Sequence, residues 1–123
     1  MRSGSASLEI RPFRLTASNL PMISKIGFEE AKRIIDSRPD ALILDVREEE
    51  EYITGHAVNA VLFPVDDIDY TTASIILPDR SAPLLIYCRS GRRSKEAAEK
   101  LDGLGYTELY DLGSLIGWPY GLE

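Results

Sequence analysis

The spacing of apolar side chains changes several times along this chain, and each change marks an element. Over residues 27–37, Phe28, Ala31, Ile34 and Ile35 recur at helical spacing while Glu29, Glu30, Lys32 and Arg33 fill the other side, the pattern of a helix with one buried face. Pro39 and Asp40 end it, and Met22-Ile23 ahead of it predicts a short edge strand. Residues 41–44 are apolar without interruption, as a strand covered on both faces must be. Residues 48–53 predict a short helix stopped at Thr54-Gly55, and residues 60–63 a third strand ended by Pro64. Residues 65–79 mix acidic turns with Ile75-Ile76-Leu77 and read as a short helix or a capping loop. A fourth strand follows at 84–87. Residues 94–104 carry Ala97, Ala98, Leu101 and Leu104 on one helical face, with Gly103 and Gly105 as the stop. Residues 108–110 predict a fifth strand, and residues 113–118 a turn with a final helical turn.

Strands alternating with helices imply an α/β domain, a parallel sheet with helices on both faces. Ligands in such sheets bind beyond the carboxyl ends of the strands. Asp45-Val46-Arg47 and Cys88 both fall at such ends. Residues 1–21 are polar, serine-rich and irregular and read as an N-terminal extension, in part disordered or added; residues 22–123 read as one domain.

Length and charge narrow the function. A chain of 123 residues suits one domain and buries roughly two-thirds of its unfolded surface. Its single cysteine excludes an intrachain disulfide and favours a reducing compartment, read here as the cytoplasm. No apolar stretch approaches the roughly 20 residues of a membrane span, and no apolar block follows the early arginines to make a secretory signal. A net charge of −6 argues against nucleic acid as the main partner.

Against that acidity, Arg89, Arg92, Arg93 and Lys95 form a local basic cluster directly after Cys88. The segment Leu84-Leu85-Ile86-Tyr87-Cys88-Arg89-Ser90-Gly91-Arg92-Arg93-Ser94 runs from an apolar strand through the thiol into a polar loop, and a helical pattern opens at Ser94. Such a loop aims backbone N–H groups at a central sulfur or anion, and the helix dipole and guanidinium groups add positive potential. A thiol placed there ionises readily, and the arginines after it read as the chain leaving the core. Arg89, Arg93 and Arg92 are candidates for binding an anionic substrate. Asp45 and Arg47 read as a supporting ion pair, His56 as a hydrogen-bonded turn residue, and Trp118 and Tyr120 as packing residues. The run Glu48-Glu49-Glu50-Glu51 reads as a solvated face, because consecutive helical residues cannot converge on one ion. One His with one Cys makes no structural zinc site, so neither metal nor cofactor is expected.

Three stretches resemble the rhodanese-like domains, a sulfurtransferase family. These are Leu44-Asp45-Val46-Arg47 with Glu51-Tyr52 and Gly55-His56, the Cys88–Ser94 segment, and Tyr110-Asp111-Leu112-Gly113 continuing to Gly117-Trp118. The resemblance implies a five-stranded parallel sheet. It implies that Cys88 carries a sulfane sulfur as a persulfide, that residues 89–93 (Arg89, Ser90, Gly91, Arg92, Arg93) cradle it with backbone amides, and that Ser94 opens the helix behind them. The chain departs from the family pattern at His56-Ala57-Val58, where a Pro and a Gly are frequent, at Arg92, and at Gly113-Ser114. The implied reaction moves sulfur from thiosulfate or a similar small anionic donor to cyanide, a thiol or a protein acceptor. Two alternatives stand beside it. One is a non-catalytic binding module of the same fold. The other is a cysteine phosphatase, whose loop needs an arginine six positions after the nucleophile, where this chain has Ser94.

Overall fold

The computed structural model describes residues 22–123, so the expectations for residues 1–21 lie outside the described residues. The most buried strand lies at the centre. Leu84–Cys88 (β4) is flanked by Leu109–Ser114 (β5) on one side and Leu42–Asp45 (β2) on the other; Ile23–Lys25 (β1) and Val61–Leu62 (β3) close the edges. The order is β1-β5-β4-β2-β3 and every pairing is parallel.

Strand parity then divides the core in two. On one face Leu44, Leu84, Ile86 and Cys88 pack with Ala97, Ala98 and Leu101 of Arg92–Gly103 (α4) and Ala73 of Tyr70–Ile76 (α3). On the other, Ile43, Leu85 and Tyr87 pack with Ala31 of Phe28–Ser37 (α1) and with Tyr52 of Glu49–Ile53 (α2). All five β4 side chains are fully buried, which for each Leu or Ile contributes about 1.5–3 kcal/mol. The result is the α/β sandwich of helices around a five-stranded parallel sheet.

Local chemistry sets the element ends. Glu48 and Glu51 form a reciprocal capping box at α2, and Asp69 and Thr72 do the same at α3. Residues 65–79, ambiguous in sequence, resolve as a 3₁₀ turn at Val65–Asp67 followed by α3. Three expectations are corrected. The fourth strand extends one residue further, to Cys88. The helix after it opens at Arg92 rather than Ser94, because the chain reverses at Gly91 immediately before. The fifth strand runs on to Ser114, and residues 115–118 form a turn closed by the Trp118 N–H on the Leu115 carbonyl (2.9 Å), with no helical turn. A β-bulge at Leu112 accompanies the longer strand: Ile86 pairs with Asp111, yet Tyr87 pairs with Gly113.

Candidate active site

Cys88 ends β4 with its side chain on the α4 face, and the chain must turn at once to enter that helix. Gly91 makes the turn at φ +100°, a region that costs a residue with a Cβ roughly 1–2 kcal/mol. A Cβ there would meet Gly113 Cα at an ordinary 3.7 Å, so conformation rather than space reserves the position for glycine. The turn brings the Gly91 and Ser94 N–H groups to 2.9 and 3.3 Å from Cys88 Sγ. Both belong to the unsatisfied donors at the start of α4, where the helix dipole is positive. The cradle is therefore built by two amides, one of them from Ser94, and the hydrogen bonds to sulfur do not come from Arg89, Ser90, Arg92 or Arg93.

The thiol does not leave the core. Cys88 is 0% exposed and belongs to the hydrophobic cluster under α4. Parity continues one residue past the point where the polar loop begins, so the side chain stays on the buried face although the residue after it is exposed. The sulfur thus sits on an apolar floor under two aimed N–H donors. A developing thiolate there gains fixed hydrogen bonds without reorganisation of solvent.

The charged residues divide into two groups. Arg93 places its guanidinium in a two-pronged pair with Glu51 (2.7 and 2.9 Å). That hydrogen bond, the Glu48 N–H and the neighbouring positive charges hold the Glu51 carboxyl down at about 2. Glu51 is thereby more than part of a solvated face: Glu48, Glu49 and Glu50 are exposed, while Glu51 ties α2 to the start of α4. Arg89 and Arg92 are exposed and have no ion-pair partner among the described residues.

Asp45 and Arg47 form a second buried pair at the end of β2. Arg47 Nε and Nη2 donate to the Asp45 carboxylate at 2.9 and 2.7 Å, and Nη2 also donates to the Gly55 carbonyl at 2.7 Å. Tyr87 OH donates to Asp45 Oδ2 at 2.5 Å and accepts from the Ala57 N–H at 3.1 Å. Burial, then the bond to Asp45, pushes the Tyr87 phenol well above its ordinary range. A carboxylate with no solvent exposure is stable only with its lone pairs occupied, and here Arg47 and Tyr87 occupy them. The network joins the ends of β2 and β4 to residues 55–57.

His56 donates its Nδ1–H to the Tyr52 carbonyl (2.9 Å) and stacks on the Tyr52 ring at 3.6 Å between centroids. It makes no hydrogen bond to Cys88. Trp118 packs edge-on against Phe28 and Tyr120.

Asp111 escaped the sequence reading as a separate site residue. Its carboxylate is 5% exposed and accepts from Ser94 Oγ at 2.7 Å and the Gly113 N–H at 2.9 Å, with Lys25 Nζ at 3.8 Å. The bulge in β5 makes this possible by turning Gly113 back toward Asp111. A signal was present: an aspartate inside the apolar strand Leu109-Tyr110-Asp111-Leu112 must have a buried partner.

Comparison with known proteins identifies relatives of the whole domain. The chain is 31% identical over 115 residues to the thiosulfate:glutathione sulfurtransferase of Saccharomyces cerevisiae, covering 83% of this chain and 82% of that protein. It is 33% identical over 72 residues to the thiosulfate sulfurtransferase PspE of Escherichia coli, covering 58% of this chain and 68% of that one. Among solved structures, a rhodanese with anions from E. coli superposes with a TM-score of 0.63 at 28% identity, over 68% of this chain and 96% of that one. A rhodanese-like domain protein of Staphylococcus aureus gives 0.65 at 28% identity, over 81% and 96%. The profile of the Rhodanese-like domain matches residues 28–118, a span that holds all five strands except β1 and the whole Cys88 loop. A central strand ending in a cradled thiol, and a profile that runs through it, place the chain in the rhodanese-like domain family.

Proposed function

We propose that this chain is a sulfurtransferase that carries a sulfane sulfur on Cys88. The observation that supports the reading most directly is the pair of N–H groups at 2.9 and 3.3 Å from Sγ. In the first step the Cys88 thiolate attacks the outer sulfur of thiosulfate or a similar donor. A sulfur–sulfur bond forms, the bond to the sulfonate sulfur breaks, and sulfite leaves with its electron pair. In the second step cyanide or an acceptor thiolate attacks the outer sulfur, and the electron pair of the broken bond returns to Cys88. Negative charge stays at the loop centre throughout, where the two amides and the α4 dipole stabilise it. Arg89 and Arg92, exposed and without ion partners among the described residues, are suited to gathering an anionic donor; Arg93 acts through Glu51 to hold the loop. Since the sulfur is sealed, donor entry requires the loop to open.

The test is intact mass after thiosulfate treatment. The wild type gains the mass of one sulfur atom and loses it to cyanide, and Cys88→Ser gains nothing. A wild-type mass that stays unchanged overturns the reading in favour of a binding module. The loop also argues against phosphoryl transfer, since Ser94 rather than an arginine stands six positions after the cysteine. Hydrolysis of p-nitrophenyl phosphate is expected to be negligible beside sulfur transfer, and a comparable rate would reverse the assignment.

A further inference from the structure

A second feature lies on the other side of the Cys88 strand end from the sulfur. A cleft of about 390 Å³ is lined by Arg47, Arg89, Leu115, Ile116, Trp118 and Leu122 among others. Leu115 and Trp118 pack on the α1 face of the sheet, whereas Cys88 packs on the α4 face. The two sites still share a backbone edge, because the Leu115 N–H donates to the Cys88 carbonyl at 3.0 Å. Ile116 and Leu122 are 78% and 60% exposed, and Ile53, next to the cleft residue Thr54, is 71% exposed. Large apolar side chains gathered at one mouth mark an interaction surface.

The charge pattern selects the occupant. Arg47 is neutralised by Asp45. Arg89 is exposed and unpaired among the described residues, in a chain of net charge −6. A ligand that fills the cleft must therefore offer an apolar group to Leu115, Ile116 and Leu122 and a negative group to Arg89. It must also deliver a thiol across the strand end to the α4 side. Leu115 and Cys88 lie on opposite faces of one sheet, a separation on the order of the ~10 Å between packed β layers, which an extended peptide spans in about three residues. A small thiol seated in the cleft would not span it. We infer that this cleft docks the acceptor: an extended segment of a protein, apolar and acidic, with its cysteine about three residues beyond the docked part. This inference rests on the proposed sulfur transfer. The acceptor thiolate attacks the outer sulfur of the Cys88 persulfide, takes it, and leaves the Cys88 thiolate.

The experiment starts from the full chain loaded with thiosulfate, desalted, and checked by mass for the added sulfur. It is mixed in single turnover with synthetic peptides. One has a Leu-Asp-Leu anchor three residues from its cysteine, one has Ser-Lys-Ser in place of the anchor, and one has the anchor adjacent to the cysteine. Free cysteine is the fourth acceptor. The first peptide is expected to take the sulfur about tenfold faster than the other three. That advantage is expected to fall to within about twofold in Ile116→Ser and in Leu122→Ser, both surface changes in exposed residues that line the cleft. Equal rates for all four acceptors, or an advantage that survives Ile116→Ser, overturn the docking site while leaving sulfur transfer intact. A chain that never loads sulfur overturns the proposed function itself, and the docking site with it.

Discussion

At the residue scale, the site depends on a few atoms held by others. Ser94 contributes its N–H to the sulfur, and its hydroxyl is tethered to the buried Asp111. Removing the hydroxyl frees the first turn of α4 and leaves Asp111 with one fewer donor, a loss of about 1–3 kcal/mol for a buried acceptor. Ser94→Ala keeps the N–H but unties the turn that aims it, and is therefore expected to slow the loading of sulfur onto Cys88 from thiosulfate by about threefold, read by intact mass against time. A loading rate that stays put would show that the tether does not reach the sulfur. The sequence exposed Cys88 and its loop because residue identity carries that chemistry. Tyr87 and Asp111 were hidden, since their importance comes from parity and from a bulge that brings distant residues together.

At the element scale, the Glu51–Arg93 pair links α2 to α4 across the mouth of the loop. It is about one-quarter exposed on each side, so its worth is modest, about 0.5–1 kcal/mol. Folding lowers the Glu51 carboxyl from 4.5 to about 2. The stability it brings is thus complete above about pH 4.5 and is lost as the pH falls toward 2. Chemical denaturation of Glu51→Gln is expected to show that deficit at pH 7 and a shrinking one below pH 4. A deficit independent of pH would mean that the helix cap, not the ion pair, was lost. Of the short helices, α2 was legible in sequence while α3 stood open against a capping loop; all five strands were legible. What failed were ends: the start of α4 depends on the positive φ of Gly91, and the length of β5 on the bulge, neither of which leaves a hydrophobic period to read.

At the scale of the whole molecule, the sheet is most secure at its centre. Leu84–Cys88 has a parallel neighbour on each side and a helical layer on each face, whereas Val61–Leu62 is a two-residue edge. Amide exchange is expected to be slowest at Leu85 and Ile86 and markedly faster at the β3 edge, and the reverse order would contradict the topology. Continuous apolar runs made this layering legible, since a strand buried on both faces has no alternation to hide behind. The cleft beside Arg89 was not legible, because it is assembled from segments some seventy positions apart, Arg47 at one end and Leu122 at the other.

The sealed sulfur carries one more consequence. A nucleophile with no solvent contact meets reagents only during brief openings of its loop, so its modification rate reports how often the gate opens multiplied by the chemistry once it has. On the proposed chemistry, the same shelter surrounds the cargo between the two half-reactions. The loaded protein should then keep its sulfur against air and water far longer than a free persulfide does, and surrender it on contact with a partner able to hold the gate open.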